Sequence, residues 1–234
     1  MNRVVAGIVS CVMLIGAPAF AADLALKAPP PAPVSNWAGF YLGIEGGGGF
    51  GTSSFLNLTT NIASGNMNIG GGIFGGTYGY NWQAGRLVYG LEGDISWTGI
   101  KNNVTPSPNP VYGCGTGCVT NLQWLGTDRV RVGLLPIPNI LVYATGGVAY
   151  GTINAGIFNP CCDFENHTRV GYTVGGGVEG KLPIPGWTVK AEYLYVDFGG
   201  ATNFTLIAAA PTNPERVFLN ENIFRVGVNY QLPF

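Results

Sequence analysis

The sequence predicts an all-β fold: an eight-stranded antiparallel up-and-down transmembrane β-barrel with a polar, charge-paired lumen. Three observations predict it. The segment from Asn222 to Phe234 places Phe224, Val226, Val228, Tyr230, Leu232 and Phe234 on one parity and Arg225, Gly227, Asn229 and Gln231 on the other, the period of a two-faced strand. Hydrophobic residues make up 47% of the chain and charged ones 10%, yet past residue 21 no apolar run approaches the roughly 18 residues a spanning helix needs. Short and long connections alternate along the chain, as periplasmic turns and outer loops do in outer-membrane barrels.

The N-terminus reads as a cleaved secretion signal over residues 1–21. Arg3 is the only charge before Asp23, an apolar stretch runs from Val4 to Ile15, and Ala19-Phe20-Ala21 fits the small-x-small cleavage rule. Cys11 lies inside the apolar stretch, which argues against a lipoprotein. Without Arg3 the 11 basic residues become 10 against 12 acidic ones, net −2, which is no footprint for nucleic acid. Residues 22–36 carry Pro29, Pro30, Pro31 and Pro33 and read as an extended, semi-rigid periplasmic linker. The barrel is expected over 37–234. Gly46-Gly47-Gly48-Gly49 is no phosphate loop, because neither a helical pattern nor a Lys-Ser/Thr pair follows it.

Eight segments carry the strand pattern: Trp37–Phe50, Met67–Trp82, Leu87–Thr98, Thr120–Leu134, Ile140–Ile153, Thr168–Lys181, Trp187–Phe198 and Asn222–Phe234. Connections after the second, fourth and sixth are short, and the last two hold Pro-x-Pro, which ends a ladder. A strand of about thirteen residues at about 3.3 Å each, tilted near 40°, crosses an apolar band of roughly 25 Å.

The charges sort by parity. Glu45, Glu92, Asp94, Arg129, Arg131, Arg169, Glu179, Lys190, Glu192 and Arg225 fall opposite the aromatic face, with Lys181 on the same parity at a strand end. A soluble barrel would put charges outside; here the apolar parity meets lipid and the charges line the lumen. Buried ions must be paired, so acids and bases in one lumen predict a plug of salt bridges: Glu92 and Asp94 against Arg129 and Arg131, completed by Glu45, Lys190, Glu192 and Arg225. Asp128 breaks the rule by falling on the lipid parity; a bulge or a position near the headgroups would accommodate it. Ile140–Ile153 is small and apolar on both faces and cannot be oriented. Trp82, Tyr89, Tyr143, Trp187 and Tyr230 are expected in a periplasmic aromatic girdle.

The segments Trp37-Ala38-Gly39-Phe40-Tyr41-Leu42-Gly43, Gly126-Thr127 with Arg129 and Arg131, Leu141 to Gly151, Lys190 to Gly199 and Phe224 to Tyr230 together resemble the small alphaproteobacterial outer-membrane β-barrel family, the outer-membrane immunogenic or porin-like proteins. The resemblance spans Trp37 to Phe234. It implies a barrel like the membrane domain of outer-membrane protein A. It also implies that Phe234 is read as an assembly signal by the barrel-assembly machinery. The implied location is the bacterial outer membrane, among its lipid and lipopolysaccharide.

Enzymatic chemistry has little to build on. The single histidine, His167, has Asp163 and Glu165 nearby, and the ordinary reading is a solvated loop histidine. A metal site on His167 with Cys161 and Cys162 would need reduced thiols, which an oxidising periplasm disfavours. No cofactor is expected. Cys114, Cys118, Cys161 and Cys162 lie in outer loops and are disulfide candidates; Cys114–Cys118 is favoured, with two bonds between the loops as the alternative. Two functions remain. One is a structural surface barrel that supports the envelope and displays loops to an unidentified ligand or host surface. The alternative is a narrow channel for small solutes or ions.

Overall fold

A computed structural model describes residues 35–103, 106–112, 117–158, 162–204 and 214–233, with side chains of 158, 162–163 and 201–204 left aside. The expected signal, most of the linker, Phe234, Cys114 and Cys161 therefore lie outside the described residues. Eight long antiparallel strands form the wall: β1 (Gly39–Asn57), β2 (Met67–Ala84), β3 (Leu87–Thr98), β4 (Cys118–Ile137), β5 (Ile140–Phe158), β6 (Cys162–Lys181), β7 (Trp187–Phe204) and β8 (Glu215–Gln231). Each pairs with the next, and β1 closes onto β8 from Tyr41↔Gln231 to Asn57↔Glu215. Closure satisfies every wall strand on both sides, the only way a sheet can cross lipid without a bare edge. A two-residue strand, Ile62–Ala63, folds back on β1. None of the described helices is long and apolar enough to cross a membrane.

The periplasmic turns follow from local chemistry. Ala84 pairs with Leu87 across Gly85 and Arg86, and Gly85 holds φ 62°, which the first position of a tight hairpin turn gives to glycine. Ile137 pairs with Ile140 across Pro138 and Asn139. Outward, the lipid-facing band carries Phe40, Leu42, Ile44, Tyr78, Leu91, Val130, Val132, Val174, Phe224 and Val226, all exposed. Trp82 stacks on Tyr89 at 5.8 Å and Trp187 meets Tyr230 at 5.2 Å at its periplasmic edge. Tyr143 is a correction to the expected girdle: it is 5% exposed and turned into the lumen.

The strands are longer than expected at the outer end. β1 continues past Phe50 to Asn57, and β8 begins at Glu215 instead of Asn222. Inward there, Phe55, Val217 and Leu219 join a second core, with Ser53, Glu215 and Glu221 buried beside them, so pairing continues beyond the lipid band. A bulge between Leu122 and Trp124 switches the parity of β4, which lets both Leu122 and Leu125 face inward and become fully buried. The small, apolar β5 is now oriented: Leu141, Tyr143, Ala149 and Ile153 point into the lumen, while Val142 and Val148 face out.

Candidate functional site

The lumen is the feature that the fold builds with most care, and it has three layers. At the periplasmic mouth Trp37 is 3% exposed and packs with Val88, Leu135, Leu141 and Tyr143. Its Nε1–H donates to the Pro138 carbonyl at 3.1 Å, its backbone N–H donates to Gln83 Oε1 at 2.7 Å, and the Lys181 ammonium lies 5.0 Å from its ring centroid. Lys181 thus stands at the rim.

Above Trp37 comes an ionic layer. Shared parity puts Glu92 and Arg129 on the inner face, and the register of the β3–β4 ladder sets them directly opposite each other. Arg129 reaches Glu92 at 2.6 Å, Asp94 at 2.9 Å and Glu192 at 3.0 Å. Arg131 reaches Glu179 at 2.7 Å and Glu92 at 3.1 Å. Lys190 joins Glu45 at 2.9 Å and Glu92 at 3.3 Å. Arg225 binds Glu45, Glu192 at 2.6 Å and Asp94 at 3.1 Å. Each cation bridges at least two carboxylates from different strands, so the layer ties the wall together across its width. Charge-assisted contacts of this kind are the strong class of hydrogen bond.

Neutral groups complete the layer. Tyr41 donates to Glu92 at 2.7 Å, Tyr143 to Glu192 at 2.9 Å, Thr127 to Asp94 at 2.5 Å, and Thr188 and Asn229 to Glu179 at 2.5 and 2.9 Å. Arg131 lies between two rings, 4.1 Å from the Tyr143 centroid and 5.7 Å from that of Tyr41, an arrangement worth more when desolvated. The sequence reading did not place these five in the network. Tyr41, Thr127, Thr188 and Asn229 share the inward parity of the charged residues on their strands, so a search of that parity for any hydrogen-bonding group would have found them. Tyr143 had no such signal, because β5 could not be oriented. Glycine makes room for the ions: a Cβ at Gly227 would lie 3.1 Å from the Glu45 side chain and 3.2 Å from that of Lys190.

Above the ions the lumen turns apolar. Leu122, Leu125, Ile153, Leu194, Leu219 and Ile223 are fully buried, with Ile100 from the β3–β4 loop inserted among them. A polar lumen along the whole barrel was expected; only the middle carries the network. Arg169 is the matching correction. It lies ten residues along β6 from Glu179, roughly 30 Å of strand, and is buried in the outer half, above the ionic layer, where it donates to the Val217 carbonyl.

The described part of the β3–β4 loop packs onto the outer end of the barrel. Asn102 donates to the Cys118 carbonyl at 2.8 Å and accepts from the Thr120 N–H at 2.6 Å. Ser107 donates to the Ser64 carbonyl at 2.7 Å, and Tyr112 packs against Phe55 and donates to Glu215 Oε2 at 2.6 Å. Glu215 stands beyond Asn220 and Asn222, outside the lipid band, and burial pushes its carboxyl up to about 7; burial first, and then Glu215, raise the Tyr112 phenol. Cys118 is fully buried at the start of β4. His167 meets Glu165 at 3.1 Å on the outer end of β6, with both side chains partly exposed.

A closed ring of strands, apolar outside and ionic at its centre, defines a membrane-spanning β-barrel. Residues 8–231 match the family model described as "Outer membrane protein beta-barrel domain". The 31 kDa outer-membrane immunogenic protein of Brucella melitensis is 32% identical over 91% of this chain and 93% of its own length. The 25 kDa outer-membrane immunogenic protein of the same organism is 32% identical over 96% of each chain. The 22 kDa outer membrane protein of Rhizobium leguminosarum bv. viciae is 34% identical over 72% of this chain and 68% of its own. The chain belongs to the outer membrane protein beta-barrel family, and its place is the bacterial outer membrane.

Proposed function

We propose that this barrel is a closed structural and surface protein that supports the envelope and presents its outer loops to a ligand or host surface. The observation that carries this reading is the three-layered lumen: Trp37 below, the ion network in the middle, and an apolar core under the β3–β4 loop above. A conducting path would have to break charge-assisted contacts and open an apolar plug. The relatives' description as immunogenic supports exposure of such loops. Single-channel recording of purified protein in a planar bilayer tests it. No stable opening above the bare-lipid background is expected; reproducible openings would favour the narrow channel instead.

The reading is non-enzymatic. The Glu165–His167 pair on an exposed strand end is an ordinary surface arrangement, and changing His167→Ala is expected to leave assembly and stability as they are in heat-modifiability assays. Lipid and lipopolysaccharide surround the outward band, and Phe234 serves as the signal for the assembly machinery. Deleting Phe234 is expected to lower the amount of barrel in membrane fractions far more than its unfolding midpoint in detergent; unchanged membrane levels would refute that role. Cys114, Cys118, Cys161 and Cys162 are proposed to form loop disulfides, which a mobility shift on reduction would report.

A further inference from the structure

We propose that the lipid-facing patch around Asp128 is an interface between two copies of this chain in the plane of the membrane. Asp128 was expected at a bulge or near the headgroups, and it is at neither. It pairs in unbroken register with Gly93 on β3 and Val148 on β5. It lies four residues from Trp124 on the outer side and four from Val132 on the periplasmic side, roughly 10 Å of tilted strand from either. Its exposed side chain therefore faces the interior of the bilayer.

The surroundings of Asp128 are built. Tyr150 donates to Asp128 Oδ2 at 3.0 Å. A Cβ at Gly93 would lie 2.6 Å from the Tyr78 hydroxyl and 2.9 Å from Asp128 Oδ1, so the second phenol flanks the acid from the other side. Beside them opens a groove of about 880 Å³, walled by Phe40, Tyr78, Leu91, Val130 and Val148 and floored by Gly79, Gly93 and Gly146. Asp197, an acid on the outward parity of β7, differs in adjoining a bulge between Asp197 and Gly200, where the freed Gly199 backbone N–H donates to it at 2.6 Å and Tyr172 at 3.3 Å, so its position needs no partner.

Acyl chains offer a carboxylate no hydrogen-bond donor, and the headgroups stand too far off. A second copy offers donors at the right depth. The patch carries an acceptor, Asp128, and phenol donors, Tyr150 and Tyr78, at one level. A two-fold axis along the membrane normal preserves depth and makes such a patch self-complementary: Tyr150 of each copy can reach Asp128 of the other. The bare glycines let the apolar ridge of the facing barrel enter the groove, as small residues do at membrane interfaces.

The test is association of the mature chain in phosphatidylcholine vesicles, followed by energy transfer between singly labelled copies and by native mass spectrometry. Dimerisation is expected for the unaltered protein, weakened at least tenfold by Asp128→Val and about threefold by Tyr150→Phe. Gly146→Trp fills the groove from a position whose added Cβ would meet its nearest neighbour at an ordinary 3.6 Å, so it should block dimers while the barrel keeps its heat-modifiable mobility. Asp197→Asn should change nothing. The proposal is overturned by a monomer at every protein-to-lipid ratio, by dimers that survive both Asp128→Val and Gly146→Trp, or by a monomer whose bound lipid is lost with Asp128→Val.

Discussion

The middle and the outer half of the same lumen solve one problem in opposite ways. Both must fill a barrel of eight strands, whose interior is just wide enough for side chains. The middle does so with Arg129, Arg131, Lys190 and Arg225 against five carboxylates; the outer half does so mainly with Leu122, Leu194, Leu219 and Ile223, around the buried side chains of Arg169 and Glu221. Apolar filling is tolerant, because each methyl group is nearly as content beside one neighbour as another. Ionic filling is not: removal of one partner strands another charge in a dry interior. The middle should therefore be the brittle layer and the outer half the forgiving one, although their net contributions to stability need not differ.

The largest effect expected is that of Arg129→Ala, which strips Glu92, Asp94 and Glu192 of a shared cation. It should cost about 3–5 kcal/mol, read as a lower unfolding midpoint in detergent. Its coupling to Glu92→Ala in a double-mutant cycle should exceed about 1 kcal/mol; a coupling near zero would end the claim that the layer acts as one unit. In the outer half, Leu194→Ala should cost about 2–4 kcal/mol through the cavity it leaves, and Leu194→Met, which conserves volume, less than about 1.5 kcal/mol. If Leu194→Met proves as damaging as Arg129→Ala, the contrast between the layers is wrong.

Smaller effects sharpen the upper boundary. The Glu215 carboxyl titrates near 7 in the folded chain, above its ordinary value. A carboxyl with a raised folded value favours the fold most below its unfolded range, and that contribution is lost as pH rises through about 7. Amide protection factors, corrected for the base-catalysed intrinsic rate, should thus be higher at pH 5 than at pH 8 in the segment holding Tyr112, and Glu215→Gln should flatten that difference. Tyr112→Phe, which removes one hydrogen bond to Glu215, should lower stability by only about 0.5–1.5 kcal/mol, read from the unfolding midpoint.

Much of this was legible in the sequence, for a physical reason. Strand parity is a two-valued variable, so Glu92, Arg129 and Arg225 had only two faces to choose from, and the aromatic residues already occupied one. The same logic failed where its assumption failed. Leu194 and Val196 continue the inward parity of Lys190 and Glu192, and Leu219 and Ile223 that of Arg225, but apolar residues there carried no contrast against the outer face. The bulge beside Gln123 reverses parity within β4, and no composition signal announces such a reversal. Arg169 followed parity and lies inside, yet parity says nothing of height, and height separates it from the network. Asp128 was read as an exception to the pattern, and it lies in unbroken register on the lipid face.

Distance along the chain gives the ion layer one more consequence. Arg225 and Glu45 are 180 residues apart and belong to the last and first strands, and the Trp37 indole waits for Pro138, 101 residues on. Until the first and last strands meet, the half-built curl must keep its charges hydrated, since several of their partners have not yet arrived. Joining the seam and expelling water from the lumen therefore become one event, late and all-or-none, and a chain stalled before it would present a wet cleft lined with charge to the cell.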